Sequence, residues 1–240
     1  APFPQGGDPL RDGDPSRAAD VLNNSWGCPT EIEGCSPDVF APAVAALSDA
    51  GIFVVVSAGN EGPECSTVSA PPAIYAEVLS VGAVDQFGDL ASFSSSGPVT
   101  VDGSGRIKPD ILAPGVEVLS AWPGSSYDLA SGTSMAGPHL AGTVALMWSA
   151  NPALRGDVAR TRAILQATAR PFEGGLEGST LIADDAVSNK VVAGSLAAML
   201  NAAYERSCLA QTDLSVIPNN VAGYGVVDVY AAVQAALELQ

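Results

Sequence analysis

The apolar positions of this chain fall into short continuous runs that predict buried strands. Ile52–Val56 is an unbroken β-branched and aromatic run, as expected for a strand covered on both faces in a parallel sheet. Leu79–Val84 is predicted to be a second buried strand, and Val116–Ala121 a third, shorter one. Asp20–Trp26 predicts a further strand that leads into a turn.

Apolar residues spaced by three and four positions predict helices between and after these strands. The first such pattern covers Pro37–Ala50, and the longest covers Thr133–Ala150. Two further helices are predicted over Val158–Thr168 and Val227–Leu239. Because strands alternate with helices, the chain is predicted to form an α/β fold with a mostly parallel sheet.

Two stretches lack a periodic pattern. Residues 1–19 are rich in Pro, Gly and Asp, which predicts a surface loop. Residues 171–216 carry the weakest pattern, and within them only Leu196–Arg206 is a helix candidate. Three acidic residues of the first stretch form either a solvated loop or a calcium-binding loop, although their spacing is not that of an EF-hand: Asp8, Asp12 and Asp14.

Composition and charge exclude several classes of protein. With 47% apolar and 15% charged residues, the chain is neither a disordered tail nor a coiled coil. No run of 18 apolar residues is present, so no membrane-spanning segment is predicted. The net charge of −16 opposes a nucleic-acid partner and is typical of an extracellular or salt-rich setting.

Four cysteines and one histidine limit the metal and disulfide chemistry. They are Cys28, Cys35, Cys65, Cys208 and His139, and their spacing predicts no tetrahedral zinc site. An even count favours two disulfides, with Cys28–Cys35 closing a short loop and Cys65–Cys208 tying a central loop to the C-terminal region. Four reduced, buried thiols are the alternative.

A serine surrounded by small residues stands where a loop becomes the longest predicted helix. The segment Gly132–Gly142 reads Gly-Thr-Ser-Met-Ala-Gly-Pro-His-Leu-Ala-Gly, with Ser134 near the helix start. Backbone N–H groups and the helix dipole favour developing negative charge at this position, so Ser134 is a candidate nucleophile. The alternative is a serine that caps a core helix, which is a much commoner role.

Several segments resemble, in the right order, motifs of the subtilisin-like serine proteases, the subtilases. Gly132–Gly142 resembles the active-serine segment, Val54–Gly62 the oxyanion-asparagine segment, and Asn23–Gly27 the strand along which the substrate backbone lies. Further blocks that fit are Ser80–Asp85 with Ala91–Ser95, Lys108–Gly115 and Gly223–Asp228. The segments around Cys28 and Cys65 are most similar to secreted bacterial members of the bacillopeptidase F type.

This resemblance implies a fold and a set of roles. The fold is a three-layer subtilisin-like α/β fold, of which residues 1–240 would supply the C-terminal portion of one catalytic domain, with an insertion at 171–216. Ser134 would attack the scissile carbonyl, and the Asn60 side-chain amide with the Ser134 N–H would bind the oxyanion. Two segments would flank a polypeptide substrate: Ser25, Trp26 and Gly27, and Ser57, Ala58 and Gly59. No cofactor is implied.

The histidine and aspartate that activate the serine in this family have no counterpart here. His139 follows Ser134 by five residues, which on a helix turns it roughly 140° away from the serine. Because the family's triad runs Asp, His, Ser along the chain, both missing members are expected upstream of Ala1. The chain is therefore predicted to be inactive alone, and its partner would be the N-terminal half of the same protease.

Two other functions compete with a secreted endopeptidase. One is a catalytically inert subtilase-like binding or structural module that lacks the base by design. The other is an unrelated α/β hydrolase, which would require a Gly-x-Ser-x-Gly elbow. The sequence around Ser134 does not match that elbow, so this alternative is discarded.

Overall fold

A four-stranded, wholly parallel sheet forms the centre of the molecule. The computed structural model describes residues 4–8, 11–176, 199, 202 and 204–239. The strands are β1 (Val21–Asn24), β2 (Phe53–Ser57), β3 (Leu79–Val84) and β4 (Ile111–Pro114), and they lie in chain order. Val21 pairs with Phe53 in register, and the same parallel pairing continues to β4.

Helices cover both faces of this sheet. The described helices are α1 (Thr30–Glu33), α2 (Ala41–Asp49), α3 (Thr133–Ala150), α4 (Val158–Thr168) and α5 (Val229–Leu237). Short 3₁₀ turns lie at Pro15–Arg17, Pro152–Leu154 and Leu209–Gln211. The result is a three-layer α/β arrangement, and the predicted fold class is confirmed.

Alternate residues of the strands feed two separate cores, because successive side chains of a strand point to opposite faces. Val55 and Val81 pack with α3 residues such as Leu140, in a cluster that also includes residues of α4 and α5. Val54 and Val56 pack on the opposite face against α2. A strand buried on both sides needs an unbroken apolar run, which explains the pattern of β2.

One strand prediction is wrong, both in the position of the sheet strand and in the structure of the predicted segment. Val116–Ala121 was expected to be a third buried strand, but the next sheet strand is β4, at Ile111–Pro114. Residues Val118–Trp122 form β5, which pairs antiparallel with β6 (Ser126–Ala130) in a hairpin whose side chains are largely exposed. The apolar run of β4 is only three residues long and ends at Pro114, whereas the apolar residues of Val116–Ala121 are spread over six positions and belong to the exposed hairpin.

The other predicted elements lie within a few residues of their expected bounds. The helix expected over Pro37–Ala50 begins at Ala41, because the preceding turn is held by a hydrogen bond from the Phe40 N–H to the Tyr75 hydroxyl (3.0 Å). The last helix is shorter than predicted by two residues at each end. Within Leu196–Arg206, residues 204–206 are helical, and most of the rest of that segment lies outside the described residues, as does 177–198 of the predicted insertion.

The four cysteines are joined in pairs. Cys28 bonds Cys35, with a Cα–Cα distance of 5.8 Å, and Cys65 bonds Cys208, with a Cα–Cα distance of 4.6 Å. The first bond closes the loop that contains α1. The second links the loop after β2 to the segment before the 3₁₀ turn at Leu209–Gln211.

Two negative findings apply to the described part of the chain. None of its helices is long and apolar enough to cross a membrane. The carboxylates of Asp8, Asp12 and Asp14 do not gather into a ligand cluster there. Instead, Asp12 accepts a hydrogen bond from the Asp8 N–H (2.8 Å), and Asp14 caps the first 3₁₀ turn.

Candidate active site

The predicted site residues converge at one edge of the sheet. Parallel strands bring their carboxyl ends to the same edge, where β1 and β2 end and α3 begins. A cavity of about 220 Å³ opens there. All eight predicted catalytic and substrate-binding residues line it: Ser25, Trp26, Gly27, Ser57, Ala58, Gly59, Asn60 and Ser134.

Ser134 does not cap the helix on which it stands. The N-cap position of α3 is Gly132, which makes no side-chain cap hydrogen bond, and Ser134 is the second helical residue. The serine is half-buried at the cavity wall. Ser134 therefore does not have the commoner capping role. The first turn of α3 also contains no acidic side chain that could accept hydrogen bonds from its N–H groups.

The side-chain amide of Asn60 is fixed by the residue next to the serine. Its Oδ1 lies 2.9 Å from the Thr133 N–H and 3.0 Å from the Thr133 hydroxyl. Thr133 is fully buried, and its Oγ1 also lies 3.2 Å from the Gly59 N–H, which donates to it. Since Oδ1 is engaged by Thr133, the NH₂ group of Asn60, a residue that lines the cavity, remains as the donor of this side chain.

A proline within α3 explains the contact between the helix and the Ser25 segment. Pro138 has no N–H, so it cannot donate to the carbonyl four residues earlier, that of Ser134. The Ser25 hydroxyl donates to this carbonyl instead, at 3.0 Å, and itself accepts from Asn23 Nδ2 at 3.0 Å. The proline thus ties the serine's own backbone to the segment that follows β1.

The floor of the cavity needs a glycine at position 59. Gly59 has φ +114°, and a Cβ there would lie 2.4 Å from a carboxylate oxygen of Glu61 and 2.7 Å from the Ser95 hydroxyl. That hydroxyl donates to Glu61 at 2.9 Å and accepts from the Glu61 N–H at 3.1 Å. Among the described residues, Glu61 is the one charged residue that lines the cavity.

His139 is not part of this arrangement. It lies on the exposed side of α3, does not line the cavity, and its Nδ1 is 2.9 Å from the carbonyl oxygen of Met135. Since the chain contains one histidine, no imidazole of this chain can serve as the base for Ser134.

Sequence reasoning missed three residues that position the site. Thr133, Pro138 and Ser95 were all part of recognised segments but received no role. A signal for Pro138 was present, because a proline inside a predicted helix always leaves a carbonyl without its helical donor. Nothing in the sequence pairs Thr133 with Asn60, since the two are 73 positions apart.

The structure thus brings a serine at a helix start, an asparagine side-chain amide and two segments from the ends of β1 and β2 to one cavity of a parallel α/β fold. The comparisons with known proteins identify the family. The model of the subtilase family, peptidase S8, matches residues 11–225, so the chain belongs to this family. The suspected relationship is confirmed.

Individual relatives agree with this assignment. Bacillopeptidase F of Bacillus subtilis (strain 168) is 41% identical over 162 residues, which are 66% of this chain and 11% of that protein. A subtilisin of Bacillus pumilus is 39% identical over 138 residues, covering 57% of this chain and 45% of the relative. The chain therefore spans less than half the length of either protein.

Solved structures support the same fold. The prenylagaramide maturation protease PagA superimposes with a TM-score of 0.61 at 22% identity, over 92% of this chain and 63% of PagA. A protease from Pseudoalteromonas arctica PAMC 21717 gives a TM-score of 0.59 at 27% identity, over 91% and 51% of the two chains.

Proposed function

We propose that this chain is the C-terminal portion of the catalytic domain of a secreted subtilisin-like serine endopeptidase. The observation that carries the proposal is the Thr133–Asn60 contact, which engages the amide oxygen and leaves the NH₂ group of Asn60 as a donor at a cavity that Ser134 also lines. A donor fixed in advance stabilises charge that appears only in the transition state, so it lowers the barrier without merely tightening substrate binding.

In this proposal Ser134 is the nucleophile. Its hydroxyl oxygen attacks the scissile carbonyl carbon and loses its proton to a base outside this chain. The carbonyl oxygen becomes an oxyanion, which accepts hydrogen bonds from Asn60 Nδ2 and the Ser134 N–H. As this intermediate collapses, the C–N bond breaks and the base returns its proton to the leaving amine. The resulting acyl-enzyme is hydrolysed by water, which loses a proton to the same base, and the proton then returns to the Ser134 oxygen.

The substrate backbone would lie between the two segments that line the cavity. Ser25–Gly27 and Ser57–Gly59 follow β1 and β2 at the same sheet edge, so an extended peptide between them can pair with the main chain of both. Main-chain pairing tolerates many sequences, as a general endopeptidase requires. Extracellular action is supported by the two disulfides, since such bonds persist in oxidising compartments.

We further propose that the missing base comes from the N-terminal half of the same protease. Two adjoining surfaces support a partner beside the serine. The outer edge of β1 has no strand partner within the described residues. The exposed side of α3, which includes Pro138, His139, Gly142 and Leu146, carries no Asp, Glu, Lys or Arg. A paired strand and a packed helix would cover both.

A serine-directed fluorophosphonate probe tests this function, because it reacts only with an activated serine. The 240-residue chain alone should not be labelled, whereas the longer protein with its N-terminal half should be labelled at Ser134 and should hydrolyse unfolded protein. Ser134→Ala should abolish both and change the free energy of unfolding by no more than ~0.5 kcal/mol. Full proteolysis by Ser134→Ala would refute the nucleophile.

The inert-module alternative makes the opposite prediction for the longer protein. It is favoured by one observation, the absence of any histidine of this chain at the cavity. If the longer protein resists the probe and cleaves nothing, while still binding polypeptide, the inert module replaces the protease.

A further inference from the structure

We infer that α1 is a substrate-contacting element whose Ile32 selects an apolar substrate side chain, and that the Cys28–Cys35 disulfide holds this element in place. The inference rests on the proposed function of the cavity. Ile32 lines the cavity although its side chain is 83% exposed, and α1 has no buried residue. An exposed isoleucine at a cavity wall contributes nothing to the core.

The position of α1 depends on its two ends. At its start, Cys28 is buried, and its N–H donates to the Pro71 carbonyl at 2.9 Å. At its end, Gly34 adopts φ +72° and turns the chain back, so that Cys35 can bond Cys28. Because a single turn of helix is not stable by itself, these covalent and backbone contacts fix where Ile32 stands.

The surroundings of Ile32 define the class of side chain that it would accept. Trp26, which also lines the cavity, is half-exposed and packs edge-to-face on Phe40 with ring centroids 5.1 Å apart. Trp26 and Ile32 are the large apolar side chains that the cavity wall exposes to solvent. Burying them against a leucine-sized side chain removes apolar surface from water on both partners.

The acidic residues near Ile32 favour binding of a positively charged peptide that contains the apolar residue. Glu31 and Glu33 flank Ile32 in the sequence, and Glu61 lines the same cavity, where no Lys or Arg of the described part of the chain is found. The substrate class assigned to the cavity is therefore a basic peptide with an apolar residue that reaches Ile32.

Binding of two matched peptides to the 240-residue chain tests the inference without requiring catalysis. Both are fluorescein-labelled, blocked octapeptides of alanine, glycine and two lysines, and one carries a single leucine where the other carries alanine. Fluorescence anisotropy should show tighter binding of the leucine peptide. Ile32→Ala should reduce this preference about three- to tenfold. The matched control Ile107→Ala, at a position 41% exposed and away from the cavity, should leave it unchanged.

The role of the disulfide is tested with Cys28→Ala/Cys35→Ala, after circular dichroism has shown that the variant folds. If the disulfide positions Ile32, this variant should lose the same leucine preference, and adding Ile32→Ala should cause little further loss. Fully additive losses would overturn the positioning role of the disulfide.

The outcomes separate this inference from the proposed function. Equal affinity of the wild-type chain for both peptides, no binding of either, or an unchanged preference in Ile32→Ala would each overturn the inference. The protease function is judged by fluorophosphonate labelling of Ser134 in the longer protein, which does not depend on Ile32. Labelling without a leucine preference would leave the function standing and remove the inference alone.

Discussion

At the scale of single residues, burial of the charged side chain of Lys108, which is only 2% exposed, costs free energy of folding. Its Nζ donates to Asp110 Oδ2 at 2.6 Å and to the Val78 carbonyl at 3.2 Å. Asp110 also accepts from the Ser80 N–H at 2.6 Å, so the pair links the segment before β4 to β3. Burial lowers the pKa of Lys108, although the carboxylate of Asp110 opposes this shift.

Replacing Lys108 with an apolar residue should be destabilising, because it removes the hydrogen bonds that the Nζ donates to Asp110 and to the Val78 carbonyl. Lys108→Met removes the nearer counter-ion of the largely buried Asp110 carboxylate and leaves it the longer contact with Arg162 Nη1 (3.7 Å), so we expect the free energy of unfolding at pH 7 to fall by about 3 kcal/mol. Urea denaturation measures this. Arg11→Met, which removes a cation whose side chain is 85% exposed, is the control and should be nearly neutral. A small loss in Lys108→Met would show that the pair contributes little.

The lowered pKa of Lys108 also determines whether its contribution to the free energy of unfolding rises or falls with pH. Between its folded and unfolded pKa values the unfolded chain binds more protons, so the contribution of this group to stability rises with pH. The difference in unfolding free energy between the wild type and Lys108→Met should therefore widen from pH 7 towards pH 10. A difference that narrows over this range would contradict the direction of the shift.

At the scale of elements, α3 lies so close to β1 that one position of the helix has no room for a side chain and requires glycine. A Cβ at Gly137 would stand 2.5 Å from Asn23 Oδ1, and the amide of Asn23 is held by Ser25. A Cβ at Gly142 of the same helix would meet nothing within 4 Å. The two glycines therefore have different roles in one helix.

Alanine at these two positions should act in opposite directions. Gly137→Ala must push α3 away from β1 or displace Asn23, which should lower the unfolding free energy of the chain by about 1–3 kcal/mol. Gly142→Ala has room for its methyl group and should raise it by up to about 1 kcal/mol, because alanine favours helix over glycine. Thermal and urea unfolding of both variants give the comparison, and equal effects would refute the close approach.

At the scale of the whole molecule, the two disulfides should differ widely in their contribution to stability. Cys65–Cys208 spans 143 positions, whereas Cys28–Cys35 spans 7. By loop-closure entropy, replacing the first pair with alanine should lower the unfolding free energy by about 5 kcal/mol and replacing the second by about 2 kcal/mol. Denaturation of both variants measures the difference, and a larger loss from the shorter loop would contradict the entropic account.

The features that could be predicted are those that depend on residues close together in the sequence. The buried strands β2 and β3 and the helices α3 and α4 were predicted because each depends on its own periodic pattern of apolar residues. The order and resemblance of the motifs likewise singled out Ser134, Asn60 and two further segments, which the structure brings to one cavity. The position of β4 was not predicted, because four residues ended by Pro114 carry a weaker pattern than the exposed hairpin that follows.

The sequence by itself determined the α/β class and the family, because these depend on composition, local pattern and motif order. Only the tertiary structure decided how the site is held together. The bonds from Thr133 to Asn60 and from Ser25 to the Ser134 carbonyl join residues 73 and 109 positions apart. Such contacts arise when parallel strands and α3 meet at one edge of the sheet, and no local pattern encodes them.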